Sequence, residues 1–202
     1  MAAEDGKTTT GKRFTGFGSN LILGFLVSAL SVLTATSNYM AYQSGNVAAG
    51  YEAEGDRLLA LSNTEYIRAT QFIIVDYTMY DGEFIQRGVD DFAADYYKDN
   101  FSPELQASID RDSPFDGQYH DDMYAESDQT FDEAFISFDM ANAESKREAG
   151  FQLAMLIAGV GLAFSAYASL LNEGNRLRFL FALLSFLLLA FSAWQFLGVF
   201  VA

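Results

Sequence analysis

The segment AGFQLAMLIAGVGLAFSAYASLL, Ala149 to Leu171, runs for 23 residues without a charged side chain. A second uncharged run, FLFALLSFLLLAFSAWQFLGVFVA, follows from Phe179 to Ala202, and another precedes both, from Phe14 to about Tyr39. A hydrocarbon core of ~30 Å is crossed by about 20 apolar residues at ~1.5 Å rise each. Each run is long enough, so the sequence predicts a mostly α membrane protein with three transmembrane helices.

Between the first and second runs the composition changes. From Met40 to Glu148 there are 24 Asp and Glu against 7 Lys and Arg, an excess of 17 negative charges within a chain of net charge −15. An acid at the bilayer centre costs ~2.5 kcal/mol or more, so this segment belongs in water. Its roughly 109 residues suffice for a modest core. The charge argues against nucleic acid or anionic lipid as a direct partner. The chain has no cysteine, which excludes disulfides and thiolate metal sites. Sparse lysine and abundant aspartate hint at a saline habitat.

The first run also has the basic flank of a signal peptide in Lys7, Lys12 and Arg13, with small residues Ser28, Ala29 and Ala35 towards its end. Its apolar stretch is too long for that role and no A-x-A site follows, so a retained anchor is expected. Basic residues near span ends mark the cytoplasmic side. Lys7, Lys12 and Arg13 before the first span, and Arg176 and Arg178 between the second and third, fall on one side if the chain runs in, out, in, out. Lys146 and Arg147 oppose that assignment, with Glu144 and Glu148 beside them. The expected organisation is a cytoplasmic tail (1–13), transmembrane helix one (14–41), an acidic periplasmic or extracellular helical domain (42–148), transmembrane helix two (149–171), a cytoplasmic turn (172–178) and transmembrane helix three (179–202). The location implied is a bacterial inner membrane.

Neither of the first two spans has a clear stop at its outer end. Leu59, Tyr66, Ile73, Tyr77, Tyr80 and Phe84 recur at helical spacing, and so do Phe131, Ala134, Phe135, Phe138 and Ala141. The first two helices are therefore expected to extend into an antiparallel helical stalk, aromatic stripe against aromatic stripe, beneath an acidic aromatic-rich cap. Arg87-Gly88 marks the better end of the first helix, with Asp81-Gly82 an earlier candidate break. The middle, from Val89 to Asp128, reads as irregular. Within it Ser102-Pro103-Glu104 is a helix start with Ser102 as N-cap, while Ser113-Pro114 and Asp116-Gly117 read as turns. An uninterrupted helix of over 40 residues is expected from Asp128 to Leu171.

Candidate chemistry is sparse. Asp110, Asp112, Asp116, Asp121 and Asp122 offer the oxygen ligands a hard cation takes, making Ca2+ the one cofactor in view. Their spacing is not that of an EF-hand, and a solvated acidic loop gives the same pattern. His120, the lone histidine, stands beside Asp121 and Asp122 and fits an exposed loop better than a metal site. No nucleophile elbow, phosphate-binding loop or His-Glu motif is present, so no enzyme is expected. The absence of ionisable residues from the span cores disfavours ion or proton transport, and no polar stripe marks a pore. Ala154, Ala158, Gly159, Gly161, Ala163 and Ser165 form small-xxx-small pairs that permit close helix packing within or between protomers. Tyr96, Tyr97, Phe101, Tyr119 and Tyr124, with Phe115, form either the core of the cap or a partner surface.

The stretch Ala35-Thr36-Ser37-Asn38-Tyr39-Met40-Ala41-Tyr42-Gln43-Ser44 resembles one found just after the first span of an uncharacterised three-span bacterial inner-membrane family, a domain of unknown function. Glu148-Ala-Gly-Phe151-Gln152-Leu-Ala, the short basic turn and Ser185-Phe-Leu-Leu-Leu are similar too. The resemblance covers about half the chain, departs at Asn38-Tyr39, and implies the three-span architecture without an activity. The leading expectation is a non-enzymatic accessory or scaffold subunit, partnered by the bilayer and by other membrane subunits or its own copies. A cation- or ligand-sensing protein using the acidic cap, and an oligomeric pore, are the alternatives.

Overall fold

The computed structural model describes residues 19–173 and 175–201. The tail at 1–13 and the expected helix start at Phe14 lie outside them. Among the described residues the order is five helices and no strand: α1 (Asn20–Gln86), α2 (Asp91–Asp99), α3 (Pro103–Asp110), α4 (Gly117–Leu170) and α5 (Arg176–Val201). Three of them, α1, α4 and α5, are long and apolar enough to cross a membrane. At 67 and 54 residues, α1 and α4 far exceed the ~20 that a crossing needs. The chain forms two compact units, dividing within these helices at 48/49 and 142/143.

The first unit holds the start of α1, the end of α4 and all of α5. Leu23 packs with Ala168 and Ala182, Gly161 faces Leu30 and Leu188, and Gly45 faces Glu148, so α1 and α4 run antiparallel here. Its interior is small and hydroxylated: Ser37, Ser165, Ser185, Ser192, Ala154 and Ala158 are fully buried. Its periphery is large and apolar, with Phe25, Leu156, Leu170, Leu187, Phe191 and Trp194 exposed. That is the inverse of a water-soluble bundle, in which large apolar groups go inside. In lipid no hydrophobic force joins helices, so close approach and hydrogen bonds between small residues do. Ser165 and Ser185 bond each other across α4 and α5, and the Ser192 hydroxyl donates to the Ala154 carbonyl at 2.7 Å. These polar contacts were not foreseen from sequence, because serine breaks neither the length nor the hydropathy of a run.

Arg178 corrects a second expectation. It lies inside α5 rather than in a solvated turn, is 4% exposed, and donates to the Leu171 carbonyl at 2.8 Å and to Asn20 Oδ1. Asn20 is thus paired within the protein. The guanidinium ties the beginnings of α1 and α5 to the end of α4.

The second unit comprises residues 49–142. The region expected to be irregular is largely helical. Asp90 caps α2 by accepting from the Ala93 amide, Ser102 caps α3 by accepting from the Leu105 amide, and α4 begins at Gly117, eleven residues before the expected start. These short helices lack the long apolar period that makes α1 and α4 legible. Gly88 ends the α1 region in the left-handed conformation, φ +78°, while Gly82 lies within the helix, its bare backbone against the Tyr97 ring.

The inward face of α1 is not the aromatic stripe. Gly55, Ser62, Ala69, Asp76 and Glu83, spaced by seven, are buried along with Leu58 and Ile73, whereas Tyr66, Tyr77 and Phe84 are exposed. On α4, Ala134 and Ala141 are buried while Phe131 and Phe135 are exposed. Small residues set the contact: the Ser62 hydroxyl donates to the Ser127 carbonyl at 2.9 Å, and Gly55 admits the Phe138 ring. Aromatics then close over the flanks, as in the Tyr66–Tyr124 stack at 4.9 Å.

Candidate functional site

Two features of the second unit have chemical potential: a buried carboxylate clasp beside a cleft, and an uncharged outer face on α1.

Asp76 sits on the inward face of α1 at 2% exposure. Its Oδ1 accepts from the Ser102 amide at 3.0 Å, and its Oδ2 accepts from the Ser102 hydroxyl at 2.5 Å and the Tyr119 hydroxyl at 2.9 Å. Three helices converge on one carboxylate, because Ser102 is the N-cap of α3 and Tyr119 belongs to the first turn of α4. Burial chiefly, and the adjacent Asp76 carboxylate next, push the Tyr119 hydroxyl well above its usual pKa, so it remains a donor. Around this clasp lies an apolar cluster of Ile73, Phe101, Leu105 and Tyr119. Phe115 holds a left-handed backbone, φ 59°, and its ring stacks on Tyr77 at 4.0 Å and meets Tyr119 edge-on.

Beside the clasp opens a cleft of about 390 Å³ lined by Glu65, Arg68, Phe72, Asp76, Glu104 and others. The Arg68 guanidinium lies over the Phe72 ring at 5.5 Å. Asp76 and Ser102 spend their bonding capacity on one another and on Tyr119 and the Leu105 amide. The Ser–Asp pair thus ties α3 and α4 to α1.

The aspartates that suggested calcium are dispersed. Asp116 pairs with Arg111 at 2.8 Å and accepts from the Tyr119 amide at 2.7 Å, and the Arg111 bond first, then that amide, lower its pKa to about 2. Asp110, Asp112, Asp121 and Asp122 are exposed. Among the described residues no group of three or more His, Asp or Glu is gathered as a cation would need. His120 is half-buried and meets the Tyr119 ring edge-on at 5.1 Å. Of the aromatics read as either cap core or partner surface, Phe101 and Tyr119 are buried and belong to the core, so these two offer no partner surface. Tyr97 packs on Gly82 and Tyr124 on Tyr66, while Tyr96 is exposed. In the first unit Ala154, Ala158, Gly161 and Ser165 are buried inside the bundle, Gly159 is half-buried, and Ala163 is exposed.

The second feature is a face that no sequence motif advertised. Opposite the buried side of α1, Ala60, Asn63, Thr64, Ile67, Gln71, Ile74 and Thr78 are all exposed, Ile67 and Ile74 to 57% and 60%. None is charged, although the surrounding domain is strongly acidic; the charges nearby on α1, Glu65, Arg68 and Asp76, lie on its flank or inward face. Thr64 and Thr78 donate their hydroxyls to the carbonyls of Ala60 and Ile74, so this face can be covered without stranding them. Ala60, Ile67 and Ile74 repeat by seven, and Thr64, Gln71 and Thr78 repeat by seven between them. That is the a/d spacing of a coiled-coil seam. The hydropathy pattern hid it because the seam mixes isoleucine with threonine and glutamine.

No protein-family model, curated protein or solved structure matches the chain.

Proposed function

We propose that this chain is a non-enzymatic, membrane-anchored scaffold subunit that assembles side by side with a second copy through the outer face of α1. In this reading α1, α4 and α5 cross the membrane, the N-terminus and the connection bearing Arg176 are cytoplasmic, and the acidic segment stands outside. The carrying observation is the uncharged seam from Ala60 to Thr78 within a domain of large acid excess. Two copies inserted the same way in one bilayer have parallel α1 helices. A two-fold, parallel seam sets each residue against its own copy. Any acid there would meet an acid, and the seam has none until Asp81. A face serving a basic partner would instead carry acids at its edge of contact.

The chain lacks native cysteine, which makes the test direct. Ile67→Cys and Ile74→Cys, expressed singly in native membranes and mildly oxidised, should each give covalent dimers. Asp132→Cys, at an exposed site on α4, should not. Adding Ile67→Asp to the Ile74→Cys chain should reduce the dimer at least fivefold. Monomers throughout would sink the proposal.

A further inference from the structure

A groove of about 400 Å³ opens between α1 and α4 in the first unit. Its lining includes Asn38 and Tyr42 from α1, and Glu148, Gln152, Met155 and Leu156 from α4. Glu148 is held there by construction. Its Oε1 accepts from Gln152 Nε2 at 2.7 Å, and its Oε2 lies where a Cβ at Gly45 would come within 2.9 Å. Only glycine at 45 lets the carboxylate rest against α1 so closely. Its neighbour Arg147 pairs with Glu144, leaving Glu148 without an ion pair among the described residues. The Tyr42 hydroxyl and the Asn38 amide, both exposed, make no hydrogen bond within the described protein.

The groove is graded along its length. With Gly45 level with Glu148, Glu148 is the outermost of these groups, Tyr42 and Gln152 lie about one turn inward, and Asn38, Met155 and Leu156 lie deeper. From Glu148 to Leu156 is about 12 Å along the helix. A phospholipid has the same order: charged headgroup, polar phosphate and ester region, then hydrocarbon. The geometry points to a bound phospholipid with a primary ammonium headgroup, as in phosphatidylethanolamine. The ammonium donates to Glu148, a phosphate oxygen accepts from Tyr42, an ester carbonyl accepts from the deeper Asn38, and an acyl chain covers Met155 and Leu156. A quaternary ammonium has no N–H to give the carboxylate, and anionic headgroups are repelled by it. This site rests on α1 and α4 being membrane helices, as in the scaffold reading, but not on the dimer seam.

Full-length protein reconstituted in nanodiscs of equal phosphatidylethanolamine, phosphatidylcholine and phosphatidylglycerol, then analysed by native mass spectrometry, tests it. Phosphatidylethanolamine should be retained at least fivefold over phosphatidylcholine, and Glu148→Gln should bring the two to parity. Gly45→Ala, which displaces the carboxylate but keeps its charge, should also lower the preference, and serves if Glu148→Gln misfolds. Equal retention of all three lipids by the unaltered chain overturns the site, as does an undiminished preference in both variants. Failure of the helical protein to enter nanodiscs at all overturns the membrane reading, a different result from entry without preference.

Discussion

A buried carboxylate must be supplied with donors, and Asp76 has three, from Ser102 twice and from Tyr119. Asp76→Ala leaves a backbone amide and two hydroxyls without an acceptor, each costing about 1–3 kcal/mol when buried, with some recovery from water in the neighbouring cleft. A net loss of about 3 kcal/mol is expected in denaturant unfolding of the detergent-solubilised protein followed by far-UV circular dichroism. Asp76→Asn keeps one acceptor oxygen and should lose about half as much. If Asp76→Ala unfolds at the parent's midpoint, the clasp contributes nothing and the apolar cluster alone holds α3 and α4 to α1. At this scale sequence was a poor guide. Asp76 reads as one more acid among 24 between Met40 and Glu148, and its partners lie 26 and 43 positions away. Ser102 was legible because capping is local: the hydroxyl serves an amide three residues on.

Helices divide by the range of the forces that define them. α1, α4 and α5 are foreseeable because their apolar runs are long, and α3 because its N-cap and proline are adjacent. α2 was missed because Asp91–Asp99 is short, polar and stabilised by its cap and by packing of Ala94 and Tyr97. Which face of a helix turns inward was misjudged for a related reason. Large aromatics dominate a hydropathy pattern, yet glycine, alanine and serine decide how near two backbones come. The Ser165–Ser185 bond between α4 and α5 measures this effect. Ser165→Ala or Ser185→Ala alone should cost about 0.6–1 kcal/mol in mixed-micelle unfolding, and the double substitution little more than either single. Strict additivity of the two singles would show that the hydroxyls do not interact.

For the whole molecule, the proposed topology makes a prediction independent of both the seam and the groove. With no native thiol, Gln118→Cys and Glu173→Cys each give one labelling site, exposed in both cases. In intact cells, or spheroplasts where an outer membrane is present, a membrane-impermeant maleimide should label Cys at 118 at once and Cys at 173 only after permeabilisation. The reverse pattern would invert the chain in the bilayer and place the acidic segment in the cytoplasm.

Composition and run length alone determined the three apolar helices, the separate acidic segment and the ends of several elements, since transfer from water to lipid depends on what a stretch contains. The tertiary structure decided which residues of those stretches meet. It put Asp76 among its donors, Arg178 beside Asn20, Glu148 against Gly45, and an uncharged face on the outside of α1. Such juxtapositions depend on helix register and close approach, to which a hydropathy pattern along one chain is blind.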